Sequence, residues 1–88
     1  MGRAHVEIDA LLEFWTVVAE CMAAITDTGD KLESACRELG DSWKDEGYGV
    51  LDEAIERIVE KLFMINKALK DCNVYVQAKA KKAAEYLE

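Results

Sequence analysis

Proline is absent from the 88 residues, so nothing in the chain sterically interrupts a helix or removes a backbone N–H donor. Histidine occurs once, at His5, which is expected to be exposed or fraying near the N-terminus. No Glu-x-x-His pair is present, which excludes a carboxylate-histidine metal site in a bundle core. No apolar run approaches the roughly 20 residues of a membrane span. Met1-Gly2-Arg3-Ala4-His5 lacks the apolar core of a signal peptide, and Val6 stands where a myristoylation motif at Gly2 takes serine or threonine. No triad, phosphate-binding glycine loop or redox pair can be assembled. The acid pairs Asp45-Glu46 and Asp52-Glu53 are neighbours in sequence, diverge on a helix and read as solvated faces. The expectation is a protein that is not an enzyme, with no catalytic residues, no cofactor and no metal.

Cysteine is sparse and odd in number. Cys21, Cys36 and Cys72 each lie on or beside an apolar stripe, none forms a Cys-x-x-Cys pair, and all three read as reduced core thiols. Folding the chain about residues 45 to 46 would place Cys72 opposite the Val18 to Cys21 region, so a Cys21 to Cys72 bridge is conceivable without being required. Positive charge is scarce in the first half. Residues 1 to 50 hold 11 acids against 4 bases, whereas residues 51 to 88 hold 7 of each. A net charge of −7 disfavours nucleic acid and suits either a basic partner or simple solubility. Lys79, Lys81 and Lys82 near the C-terminus complement the negative end of a helix dipole.

What the chain does contain is helical periodicity. Ala4, Ile8, Leu11, Trp15, Val18, Met22, Ile25, Gly29, Leu32, Cys36 and Leu39 alternate in steps of four and three. The alternation resumes with Leu51, Ile55, Ile58, Leu62, Ile65, Leu69, Cys72, Val76, Lys79, Ala83 and Tyr86. Between them lies Gly40-Asp41-Ser42-Trp43-Lys44-Asp45-Glu46-Gly47-Tyr48-Gly49. These segments predict one all-α domain over residues 1–88, an antiparallel two-helix hairpin with helices at about 5–39 and about 46–87 and a turn at 40–45.

Each arm would extend roughly 50 Å, and a two-helix rod has little interior. Further apolar residues flank both stripes, among them Leu12, Phe14, Val17, Phe63 and Met64, and one partner helix cannot cover stripes that wide. The hairpin is therefore expected to dimerise into a four-helix bundle with interaxial angles of roughly 20°. The expected interface residues are Leu11, Trp15, Val18, Met22, Ile25, Ile55, Ile58, Leu62, Ile65 and Leu69.

Two irregularities have local readings. Thr26-Asp27-Thr28-Gly29-Asp30 is polar, yet the heptad phase runs through it, so a continuous helix is expected with Gly29 permitting close approach at a cost of roughly 1 kcal/mol. At the turn, Gly40 is expected to close the first helix in the left-handed conformation. Ser42 with Asp45 resembles a capping box, but Asp45 as N-cap with Glu46 in the first turn is preferred, since it leaves Trp43 free to fold over the bundle end.

A hairpin of this length with a Trp-x-Gly turn resembles the WXG family, the small helical substrates of bacterial type VII secretion. The likeness covers nearly the whole chain, with Trp43 at the tryptophan position and Leu51 at the apolar position that follows. Asp45 replaces the family glycine, as in a divergent Trp-x-Asp branch. The family's Tyr-x-x-x-Asp/Glu tail signal is missing after Tyr86; Tyr75 is followed by Lys79 at the fourth position, and Tyr48 to Asp52 lies at the turn. The resemblance implies a secretion substrate or partner subunit, as a homodimer or heterodimer with another helical hairpin or with the helical domain of a larger secreted effector. Localisation would be secreted without a signal peptide, or cytoplasmic. A cytosolic adaptor or chaperone that holds a partner helix is the alternative. More remotely, Glu7-Ile8-Asp9-Ala10-Leu11-Leu12 resembles the opening helix of small all-helical chorismate mutases. Those enzymes need several arginines, whereas here only Arg3, Arg37 and Arg57 occur and Val18 stands where a catalytic arginine would be expected.

Overall fold

The computed structural model describes the backbone of residues 2–86 and the side chains of residues 7–86. Expectations placed on the side chains of Ala4, His5 and Val6, and on a helix end at Leu87, lie outside the described residues. Two helices account for the architecture: α1, Gly2–Ser42, and α2, Glu46–Tyr86. No strand occurs among the described residues.

α1 passes through Thr26–Asp30 without a break. Thr16 and Thr28 return their hydroxyls to the carbonyls of Leu12 and Ala24 at 3.0 and 2.8 Å, so neither side chain competes with the helix for a non-helical backbone. The helix also continues three residues beyond Leu39. Gly40 does not take the left-handed conformation expected of it, since no described glycine has a positive φ. Instead the Leu39 carbonyl accepts the Trp43 N–H at 2.9 Å and the Ser42 hydroxyl at 3.3 Å, and α1 closes on these bonds.

The packing divides into two compact units: a terminal unit of Met1–Met22 with Lys67–Glu88, and a turn unit of Ala23–Asn66. In the turn unit Gly29 and Cys36 are buried, and Ile25, Leu32, Ile55, Val59 and Leu62 are half-buried. In the terminal unit Val18, Asn73 and Ala80 are buried, with Leu11, Met22, Leu69 and Val76 half-buried beside them.

The α1 stripe expected from periodicity therefore matches the buried side of that helix, apart from Trp15 and Leu39 at its exposed margin. The α2 stripe needs correction. Ile58 and Ile65 are 43% and 48% exposed, and Cys72, Lys79 and Tyr86 are exposed as well. Their places toward α1 are taken by Val59, Asn66, Asn73 and Ala80, each one residue later. Both sets share Ile55, Leu62, Leu69, Val76 and Ala83, so they describe two adjacent stripes of one helix, rotated by a fraction of a turn.

No large side chain is fully buried among the described residues, and the accessible surface is 7037 Å².

Candidate functional site

The turn is built from a few side chains that constrain one another. Asp45 precedes α2 and its Oδ1 accepts the Gly47 N–H at 2.8 Å, satisfying an orphan donor of the first turn, as an N-cap should. The same oxygen accepts the Trp43 indole N–H. Trp43 is therefore tethered, where the sequence reading left it free. Its ring lies against Gly47, where a Cβ would come within 2.8 Å of Cζ2. Gly47 is thus helical yet irreplaceable in its present packing, because the space a side chain would fill is occupied by the indole.

Tyr48 adds a second aromatic, edge-on to Trp43 with ring centroids 6.2 Å apart. Its hydroxyl donates to the Cys36 carbonyl at 2.9 Å, tying α2 back to α1. The buried Cys36 thiol lies 3.6 Å from Asp52 Oδ1 and 3.8 Å from the Tyr48 hydroxyl. The side-chain hydrogen bond with Cys36, followed by desolvation and then by the charges of Cys36, Asp52 and Asp41, raises the Tyr48 pKa above its ordinary value near 10. Gly40 makes room for this ring: a Cβ there would meet Tyr48 Cζ and Oη at 2.7 Å. By contrast a Cβ on Gly29 would meet only Leu62 Cδ1, at 3.9 Å. The close approach expected there exists, but it does not demand glycine.

In the terminal unit the Asn73 Nδ2 donates to the Trp15 carbonyl at 3.0 Å, while its buried Oδ1 has no hydrogen-bond partner. In the turn unit Asn66 Nδ2 donates to Thr26 Oγ1 at 2.9 Å. These two asparagines, one heptad apart, occupy the positions that hydrophobicity assigned to Ile65 and Cys72.

Each unit has a groove on one flank. That of the turn unit, about 200 Å³, runs between Thr26, Asp30 and Glu33 on α1 and Val59, Phe63 and Asn66 on α2. That of the terminal unit, about 340 Å³, lies between Trp15, Ala19 and Met22 on α1 and Lys70, Asn73 and Val74 on α2. Apolar side chains stay exposed on the opposite flanks too, including Phe14, Val17, Ile58, Ile65 and Tyr75. Of the cysteines, only Cys36 is the core thiol expected; Cys21 and Cys72 are exposed, and all three are free.

The ten expected interface residues fall into two groups. Leu11, Val18, Met22, Ile25, Ile55, Leu62 and Leu69 line the packing between helices, whereas Trp15, Ile58 and Ile65 are at or beyond its edge. Gly40, Gly47, Tyr48, Cys36 and Asn73 were missed as partners. The glycine spacing around Trp43 and Tyr48 was the available signal, since a glycine inside a helix needs a packing reason. No cluster suited to a metal ion occurs among the described residues, and no described helix is long and apolar enough to cross a membrane. No family model, curated protein or solved structure matches the chain.

Proposed function

We propose that the chain is a non-catalytic interaction subunit, a WXG-like helical hairpin that works by pairing with a second hairpin in a four-helix bundle. The observation that carries this reading is the apolar surface left on both helices. Phe63 and Met64 are 72% and 68% exposed, Leu12, Phe14 and Val17 about half exposed, and no large side chain is fully buried among the described residues. An apolar surface this extensive marks an association site in a water-soluble chain.

Type VII secretion is the setting that the turn supports. In support of it, Asp45 caps α2 by accepting the Gly47 N–H, and glycine at the corresponding place in a Trp-x-Gly turn is also accepted as an N-cap. The adaptor reading has its own support in Trp43, whose N–H and ring are both engaged within the turn, as a plug at a bundle end would be.

Trp43→Ala separates the two. For a secretion subunit the variant should still co-purify with its partner while export of the complex is abolished, read by immunoblot of medium and cell fractions. Unchanged export would reduce Trp43 to a plug, and the secretion reading would fall.

A further inference from the structure

The turn unit carries, on one flank, exposed apolar surface inside a rim of mostly one charge. Its groove of about 200 Å³ is lined by half-buried Ile25, Val59 and Leu62 and by Phe63, with Asp30 and Glu33 along α1. Val59 and Phe63 also line an extension with Glu60 and Met64, and Phe63 is 72% exposed. Toward the turn, Glu33 is shared with a second hollow of about 150 Å³ that adds Arg37, Asp52 and Glu56. The three hollows are continuous within Ala23–Asn66, with five acids at their edge against one base.

The carboxylates are not neutralised from within. Among the described residues the ion pair from Lys31 to Asp27, at 3.0 Å, uses none of the five. The unit as a whole holds 11 acids against 5 bases, a net of −6. An apolar floor bordered by negative charge selects its occupant. An apolar stripe covers Val59 and Phe63, and cations beside that stripe meet the acids, which a neutral or acidic helix would leave unpaired. The α2 side of the groove, from Glu56 to Asn66, runs roughly 15 Å, the contact length of one helix of about three turns.

We propose that this groove docks a single basic amphipathic helix of a partner protein, its apolar residues on Val59, Leu62 and Phe63 and its lysines or arginines against Asp30, Glu33, Glu56 and Glu60. The site rests on the reading above only in that exposed apolar surface marks association; the occupant's charge and the confinement to the turn unit are new to it. A second copy, with a net charge of −7, is disfavoured as occupant by like charge.

The probe is a fluorescein-labelled peptide of about 18 residues, with leucines at helical spacing and lysines on both sides of them. A twin peptide carries glutamates in place of the lysines. Anisotropy is titrated with the full chain. The lysine peptide should bind one per chain, and raising the salt from about 50 to 500 mM should weaken it about tenfold. Phe63→Ser should weaken it by about tenfold or more, while Tyr75→Ser, which removes an aromatic 73% exposed in the terminal unit, leaves binding unchanged. Glu33→Gln combined with Glu60→Gln should weaken binding about threefold to tenfold and flatten its salt dependence. All four side chains are exposed, and circular dichroism on the same samples verifies that the helices persist.

Equal binding of the lysine and glutamate peptides overturns the charge selection, and a Kd weaker than about 1 mM for the lysine peptide overturns the site. Equal losses in Phe63→Ser and Tyr75→Ser reduce the surface to general stickiness and overturn it as well. If light scattering instead finds a dimer that Phe63→Ser returns to 9.9 kDa while peptide binding is unmoved, a second copy holds the groove and the basic helix falls. Pairing with a second hairpin is decided separately, by co-purification and by the export assay on Trp43→Ala, neither of which is read through the peptide.

Discussion

The turn unit closes on contacts between residues close in sequence, with Trp43, Asp45, Gly47 and Tyr48 fastened to one another and to Cys36 twelve residues before Tyr48. In the terminal unit, Asn73 reaches Trp15 across 58 residues. The first kind of closure needs little loop entropy to be overcome once α1 ends; the second forms only when the helices have already come together. The comparison teaches where each unit is vulnerable. The turn unit depends on space that glycine leaves, the terminal unit on a polar group held in an apolar seam.

The largest effect should come from removing that space. Gly40→Ala puts a methyl 2.7 Å from the Tyr48 ring, and because the ring is held by its hydroxyl bond the expected loss is about 1–3 kcal/mol in denaturant unfolding. An unchanged midpoint would show that Tyr48 swings away freely and that the turn is not locked. Next, Asn73→Leu removes a buried oxygen without a partner and should stabilise the chain by about 1 kcal/mol. A loss instead would mean that the bond to Trp15 outweighs the orphaned oxygen.

Gly29→Ala should stabilise by up to about 1 kcal/mol, since the new methyl finds only Leu62 Cδ1 at 3.9 Å. Set beside Gly40→Ala, it makes the same chemical change with opposite sign in one unit, and equal signs would break the account of both glycines. The smallest effect concerns pH. The folded pKa of Tyr48 is raised, so its neutral phenol is the form the fold holds. Its contribution is complete below the ordinary value near 10 and is lost as pH rises through the higher folded value. Thermal unfolding followed from pH 8 to 11.5 should show a steeper alkaline decline for the wild type than for Tyr48→Phe, and parallel curves would remove Tyr48 from the account.

Much of this is legible in the sequence. Asp45 as N-cap followed from residue type and position, and the α1 stripe from Leu11 through Cys36 followed from spacing. Gly40 misled because a glycine after a leucine stripe signals a left-handed cap, whereas here it is a helical glycine serving Tyr48. The rotation of α2 was out of reach for a different reason. Ile58 and Ile65 satisfy the heptad as well as Val59 and Asn66 do, and hydrophobicity alone ranks the isoleucines higher.

The sequence by itself determined that two long helices form and where they meet, because absent proline, sustained periodicity and one central cluster of glycine and aspartate are local properties of the chain. Only the tertiary structure decided which stripe of α2 faces α1. The stripe that does so carries Asn66 bonded to Thr26 and Asn73 bonded to Trp15, between residues 40 and 58 positions apart, and no local pattern encodes the partner of an asparagine.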